Sequence, residues 1–146
     1  MDNSDSLKLG NQLCFAVYSA AHAFNAAYKP FLEPLGLTYP QYLVLMVLWE
    51  QDGLMVREIG ERLNLDSGTL TPMLKRLEAA GFVKRKRDKK DERQVRIQLT
   101  EKARDARPTA LEARRAVVCA LGDSEEEIQK LKKAVDQLHT MLRNAA

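Results

Sequence analysis

The stretch Met55–Thr100, MVREIGERLNLDSGTLTPMLKRLEAAGFVKRKRDKKDERQVRIQLT, decides how this chain is read. Val56, Ile59 and Leu63 fall at i, i+3 and i+7, one apolar stripe at the helical period. Asn64-Leu65-Asp66 breaks that pattern, and Asp66, Ser67 and Thr69 are each competent N-caps for a second helix. Along the second helix Leu70, Met73, Leu74 and Leu77 share one face. The opposite face carries Gly68, Thr71, Pro72 and Lys75, with Thr69 and Arg76 at its edges and Ser67 at its start. An interior proline costs about 3 kcal/mol. The helix therefore either starts as late as Thr69, with Pro72 in its first turn, or starts near Asp66 and bends. Gly81 suits the left-handed position after the last turn, and Phe82 can close back on Leu77.

Beyond this stop the charge changes abruptly. From Lys84 to Arg96 there are eight basic residues against three acids, a net of +5 in a chain whose total is +3. Positive charge is thus concentrated in one place, as a phosphate-binding surface requires. Val83 before the run, and Val95, Ile97 and Leu99 after it, alternate at period two, which predicts two half-buried strands around a turn at Asp88–Glu92. A charge run by itself is usually a solvated surface. Joined to the two-helix unit and its glycine stop, it completes the order helix, turn, helix, basic hairpin. The predicted fold is mainly α with a small β-hairpin wing, a winged helix-turn-helix that reads double-stranded DNA. The small, hydroxylated and cationic face of the second helix suits a major groove, because Ser, Thr, Lys and Arg reach base edges or phosphates and little bulk intervenes.

The run LDSGTLTPMLKRLEAAGFVKRKRDKKDERQVRIQLT resembles the DNA-binding lobe of MarR-type regulators, including a D-x-R element at Asp91-Glu92-Arg93 and the Leu99-Thr100 that follows. Ala103 departs from the glycine often found there. The resemblance implies that Arg93 enters a minor groove, braced by Asp91, while Ser67, Thr69, Thr71, Pro72, Lys75 and Arg76 face the major groove and Arg87, Lys89 and Lys90 meet DNA from the wing.

At 146 residues and 16.5 kDa a single domain is expected, small for an enzyme with a bound cofactor. The expected division is a DNA-binding lobe at about 53–100 and dimerisation helices at about 7–37 and 101–146. No apolar run approaches a membrane span. The polar, acidic start is unlike a signal peptide, so a cytoplasmic protein is expected. Two cysteines, 105 residues apart, fit neither a secretory scaffold nor a metal motif, and no metal or cofactor is expected.

A first helix is predicted from about Asn11 to Tyr28, with Leu13, Val17, Ala20 or Ala21, and Phe24 forming its stripe. With Asn11 as N-cap, Cys14 is N3, near the positive end of the helix dipole, where a thiolate is favoured. A lone cysteine on an apolar helix is more often a small core residue. Tyr28 lies on nearly the same face as Cys14 but 14 residues on, roughly 21 Å along the axis. The two cannot touch within one straight helix, but they could meet if two such helices cross antiparallel at a two-fold dimer axis.

The segment NQLCFAVYSA…AAYKPFLEPLGLTYPQYLVLMVLWE is similar to the organic-hydroperoxide-sensing, OhrR-type branch of the MarR family. The match is nearly continuous from Gln12 to Glu50 and resumes through the wing. In that branch the cysteine matching Cys14 reacts with peroxide, and the tyrosines matching Tyr28 and Tyr39 donate hydrogen bonds to its sulfur from the other subunit. Tyr18 is a further candidate. The branch has one-cysteine and two-cysteine types, and the position of Cys119 resembles the resolving thiol of the latter. The resemblance implies a homodimeric repressor that binds a palindromic operator when reduced. An organic hydroperoxide, whose apolar tail suits a pocket around Phe15 and the tyrosines, would release it through a Cys14–Cys119 intersubunit disulfide.

Residues 29–37, with Pro30, Pro34 and Gly36, read as a connector too broken for a regular helix. Thr38, Pro40 and Gln41 then predict a capping box and a helix start. The helix that follows, to Glu50, is apolar nearly all round and so belongs at the centre of the fold, with Trp49 in the core. Glu101–Leu121 is helical in composition, interrupted at Pro108, with Leu111, Val117, Val118 and Leu121 as its apolar set. Gly122-Asp123 ends it, and Ser124–Glu127 forms a second capping box. Ile128, Leu131, Val135, Leu138 and Leu142 then make a stripe that nothing left in the chain covers, which points to a dimer interface with the first helix. His22 and His139 are isolated and carry no assigned chemistry.

Two other classes compete. One is a regulator of the same family released by a phenolic or lipophilic ligand. The other, a thiol peroxidase, is disfavoured because no resolving group and no activating arginine lie near Cys14 in sequence.

Overall fold

The computed structural model describes residues 4–122 and 124–146. Its elements run α1 (Leu13–Leu32), α2 (Tyr39–Glu50), β1 (Leu54–Met55), α3 (Val56–Leu63), α4 (Ser67–Ala79), β2 (Val83–Arg87), β3 (Val95–Leu99), α5 (Glu101–Leu121) and α6 (Glu125–Ala145). Short 3-10 turns precede α1 and join it to α2. The residues fall into a larger unit ending at Ala113 and a smaller one, Arg114–Ala146.

The core of the larger unit forms where α2, α3, α4 and the sheet meet. Val44, Leu45, Leu48, Ile59, Leu70, Leu74, Leu77, Phe82, Val83 and Ile97 are all at most 1% exposed. Burying an aliphatic or phenylalanine side chain of this size stabilises by about 1.5–3 kcal/mol. The start of α2 follows the local chemistry read from its sequence. Thr38 Oγ1 accepts from the Gln41 N–H, and the Gln41 side chain accepts from the Thr38 N–H at 3.0 Å. Trp49 is half-buried, and its indole N–H donates to the Ala103 carbonyl at 3.0 Å.

The sheet is antiparallel with strand order β1-β3-β2. Val83 pairs with Leu99 and Arg87 with Val95, around the predicted turn. The third strand, β1, pairs Leu54 with Ile97 and Met55 with Arg96. Two residues are too few to show a period, so sequence pattern did not reveal it. All of β2 beyond Val83 is exposed. It is an edge strand blunted by charge, which discourages pairing with another sheet.

Three helix boundaries differ from expectation. The cap of α1 is Gln12, not Asn11, which belongs to the preceding 3-10 turn; Cys14 is therefore the second helical residue. The helix also runs through Pro30 to Leu32 before a 3-10 turn and a left-handed Gly36. Proline there removes only the bond to the Ala26 carbonyl, and burial of Tyr28 and Leu32 offsets that loss. Likewise α5 is continuous through Pro108. Its buried positions in the larger unit are Ala103, Ala106, Ala110 and Ala113, at helical spacing, whereas Leu111 and Leu121 are exposed. A close-packed helix seam takes small side chains, and alanine carries no strong signal of burial in sequence.

In the smaller unit, Gly122 is left-handed and Ser124 caps α6 by accepting from the Glu127 N–H at 3.2 Å. Asp123, read as part of the break, lies outside the described residues. No residue of α6 is buried, and Leu131 is 65% exposed. Among the described residues no single helix is long and apolar enough to cross a membrane.

Candidate functional site

The helix-turn-helix is built by two short-range devices. Asn64 is left-handed at φ 57°, and the Leu65 N–H donates to the Gly60 carbonyl at 2.9 Å, ending α3. Asp66 then caps α4 by accepting from the Thr69 N–H at 2.7 Å. This bond from the Thr69 N–H, and then one from the Thr69 side chain, hold the Asp66 carboxyl below the usual carboxylate range. Of the two openings considered for α4, the structure takes the earlier one, with Pro72 inside the helix. Helix α4 stops as its sequence predicts: Gly81 is left-handed, its N–H bonds the Glu78 carbonyl, and the Phe82 N–H bonds the Leu77 carbonyl.

With Leu70, Leu74 and Leu77 buried, the other side of α4 is presented outward. Ser67, Thr69, Pro72, Lys75 and Arg76 are exposed and Thr71 is half-buried. Met73, read as part of the apolar face, is half-buried as well. Among the described residues, none forms an ion pair with Lys75, Arg76 or Lys89. Their charge is available to an external anion.

The wing tip is more constrained than its composition suggests. The Asp88 N–H donates to the Gln94 carbonyl at 2.9 Å, closing the loop at its mouth. Asp91 Oδ1 accepts from both the backbone N–H (3.1 Å) and the Nε (3.4 Å) of Arg93. Arg93 is nonetheless 93% exposed along its side chain. Arg87 donates to the Glu92 carbonyl at 3.1 Å, so it braces the loop while remaining exposed. Lys89 and Lys90 are exposed at the tip.

Two acids that sequence reading left without a role anchor the wing to its lobe. Asp52 Oδ1 accepts from the Leu99 and Gly53 N–H groups, and its Oδ2 lies 3.4 Å from Arg104. Asp88 Oδ1 accepts from the Lys90 N–H at 3.0 Å, and its Oδ2 lies 3.2 Å from Arg96 Nη2. The Lys90 N–H and then the Arg96 charge hold the Asp88 carboxyl below its usual range. Arg96 Nη1 donates to the Gly53 carbonyl at 2.9 Å. Arg96, counted above with the phosphate-binding charges, is thus occupied inside the protein. Partners 43 residues apart leave no trace in local sequence.

A second constellation sits at the junction of α1 and α2. The rings of Tyr28 and Tyr39 lie 5.2 Å apart, and Tyr42 packs on both at 5.3 and 5.9 Å. Burial, then the neighbouring Tyr28, pushes the Tyr39 phenol above its ordinary value of 10, so it remains a proton donor at neutral pH. Tyr42, buried and stacked in turn against Trp49, was missed by sequence reading. Its signal was there: Tyr39 and Tyr42 are one helical turn apart. Tyr18 does not join the group; it packs edge-on against His22 at 4.4 Å. An open cleft of ≈ 480 Å³ lies beside Tyr39, between Asn25, Lys29 and Leu37. Phe15 does not line this cleft.

Cys14 is exposed in the first turn of α1, at the opposite end from Tyr28. Cys119, on α5 in the smaller unit, is also exposed and also a free thiol. Around Cys14, Leu13, Phe15, Val17 and Tyr18 are all at least 39% exposed, an exposed apolar helix surface.

Residues 26–107 match the family description "Transcriptional regulator SarA/Rot". The organic hydroperoxide resistance transcriptional regulator of Bacillus subtilis (strain 168) is 46% identical over 97% of this chain and 95% of its own length. The chain belongs to the MarR/SarA family of winged-helix transcriptional regulators. Another member, the HTH-type transcriptional regulator TtmR of Methylorubrum extorquens (strain PA1), is 67% identical over 68% of this chain, which spans about half the length of that relative. Among solved structures, reduced AbfR bound to DNA is 38% identical with a TM-score of 0.82, covering 99% of this chain and 98% of that one. Disulfide-formed AbfR matches with a TM-score of 0.65 over 97% and 94%. The mainly helical architecture with a small antiparallel sheet is therefore that of the MarR-type winged helix.

Proposed function

We propose that this regulator is a homodimeric repressor whose grip on an operator is released when organic hydroperoxide oxidises Cys14. The observation that carries the reading is the separation within α1. An exposed thiol stands at one end and a tyrosine pair at the other, roughly 21 Å apart along the axis. One chain cannot assemble them; two antiparallel α1 helices can, and the uncovered apolar surfaces of α1 and α6 offer the interface. That the Bacillus subtilis relative is an organic hydroperoxide resistance regulator supports hydroperoxide as inducer. That AbfR has been solved reduced on DNA and in a disulfide form supports a thiol switch.

The reduced dimer places one α4 in each major groove of a near-palindromic site, with half-sites about one helical turn apart. Ser67, Thr69, Thr71, Pro72, Lys75 and Arg76 face the bases and phosphates, and Arg87, Lys89 and Lys90 meet the backbone. Arg93, braced by Asp91, enters the flanking minor groove. The Cys14 thiolate attacks the terminal, hydrogen-bearing peroxide oxygen: an S–O bond forms, the O–O bond breaks, and the departing alkoxide takes a proton from water to leave as the alcohol. Tyr28 and Tyr39 of the other subunit donate to the sulfur as charge shifts on it. The Cys119 thiolate then attacks the sulfenic sulfur, forming the S–S bond and releasing the oxygen as water. Disulfide geometry demands Cα atoms within about 7 Å, so the helices move and re-space the two reading heads.

The test is fluorescence anisotropy on the gene's own upstream DNA, with stoichiometric organic hydroperoxide and then dithiothreitol. Loss of binding that dithiothreitol restores, and that Cys14→Ser abolishes, is expected. A Cys14→Ser protein that still lets go on oxidation would sink the reading. The cleft beside Tyr39 favours a second one, release by a non-covalent phenolic or lipophilic ligand, for which dithiothreitol would make no difference.

A further inference from the structure

The sheet changes width at Arg96. Towards the lobe it has three strands; Met55, the last residue of β1, pairs with Arg96, and beyond that pair only β2 and β3 continue to the tip. A two-stranded ribbon is marginally stable by itself in water. It is free to bend at the point where the third strand ends. Arg96 stands at that junction with both ends of its guanidinium engaged: Nη1 on the Gly53 carbonyl, on the β1 side, and Nη2 on Asp88, at the mouth of the wing loop beyond β2. The guanidinium is a rigid planar fork, so bonds to the residue before β1 and the residue after β2 fix an angle as well as a distance. The Asp88 side chain is 14% exposed and is itself held by the Lys90 N–H. Gly53 is tied through Asp52 to the Leu99 N–H. The chain of contacts runs from the lobe, through Arg96, to the loop that carries Arg93.

We infer that Arg96 and Asp88 form a clamp that sets the wing angle, and that they are positioning residues for the minor-groove contact of Arg93 and not DNA ligands. The inference rests on the wing reading proposed above. It makes Asp88 an unusual acid. By charge alone, an acid among eight basic residues weakens phosphate binding, and its removal should tighten the complex. As half of the clamp, its removal should loosen it.

The experiment measures operator affinity of the reduced, full-length protein by anisotropy across a salt series, with thermal unfolding of each variant at one protein concentration. Arg96→Met is expected to weaken binding about tenfold with the slope of log K against log salt unchanged, while the control Lys89→Ala lowers that slope by about 0.9. Asp88→Asn is expected to weaken binding about threefold or more, against its charge effect. Should Arg96→Met fail to fold, Arg96→Lys keeps the charge but not the fork, and is expected to weaken binding with the same slope. The deciding cycle pairs Arg96→Met with Arg93→Ala. Residues that do not touch are additive unless one acts through the other, so Arg93→Ala should cost far less in the Arg96→Met background than in the parent. A lowered salt slope for Arg96→Met, tighter binding by Asp88→Asn, or additive losses in the cycle overturn the clamp. If Arg93→Ala alone leaves affinity unchanged, the wing reading itself falls and the clamp with it.

Discussion

Replacing Gly60 by alanine sets two effects of opposite sign against each other at the turn on which the DNA-reading unit depends. Inside a helix, alanine is more favourable than glycine by about 0.8–1 kcal/mol. Here, however, the new Cβ would lie 2.6 Å from the Leu65 carbonyl oxygen, where ordinary contact begins near 3.4 Å. That oxygen cannot retreat by a change of rotamer. It belongs to a turn fixed by the Leu65 N–H bond to Gly60 and by the left-handed Asn64. Overpacking costs typically about 1–3 kcal/mol, and a clash with backbone belongs at the upper end. Subtracting the propensity gain leaves a net loss of about 2 kcal/mol. For a chain of this length that lowers Tm by roughly 4–8 °C. Urea unfolding followed by far-UV circular dichroism, at one protein concentration, measures the loss, with operator anisotropy alongside. Weaker DNA binding is expected too, because opening the turn tilts α4 relative to α3. A Gly60→Ala protein as stable as the parent, or more so, would refute the reasoning, since propensity would then outweigh the contact.

Thr38→Ala removes the acceptor of the α2 capping box and should lower stability by about 1 kcal/mol; an unchanged urea midpoint would contradict that. The Asp66 carboxyl is held below its unfolded value, so the stability it contributes is present above the unfolded pKa of about 3.9 and is lost as pH falls through the folded one. Asp66→Asn keeps a good N-cap but cannot titrate, so the steepness of acid unfolding below pH about 4 should fall; equal acid sensitivity in parent and variant would remove Asp66 as a cause. Tyr39→Phe should retain operator binding while slowing oxidation of Cys14 by about tenfold or more, because a hydrogen bond to a charged group stabilises by about 1.5–3 kcal/mol. Trapping the sulfenic acid with dimedone measures the rate, and an unchanged rate would separate Tyr39 from the thiol.

Much of this protein was legible because its signals are local. The box at Thr38 and Gln41 and the stop at Gly81-Phe82 each join residues within a few positions of one another, so residue order is enough to specify them; it left three candidate caps for α4, of which the structure takes Asp66, and the brace of Arg93 by Asp91 was implied by family resemblance. Apolar spacing likewise identified which side of α4 is buried, and therefore which side is left exposed. Local rules failed where distant contacts outweighed them. Pro30 and Pro108 read as breaks, yet α1 and α5 continue through them. Each proline forfeits one backbone hydrogen bond, and packing of the flanking residues outweighs that in the folded chain. The alanine seam of α5 was invisible because alanine is as common on surfaces as in close-packed contacts, and only the neighbouring helices decide which it is. Strand β1 exists because β3 is there to receive it, and the Arg96 clamp joins Gly53 to Asp88 across a sheet that no short window of sequence contains. Residue order determined the helices, their caps and the charge of the wing, since neighbours along the chain meet in any compact state. Tertiary structure decided which arginines are engaged inside the protein and which tyrosines stand together, since those depend on packing between segments far apart in the chain.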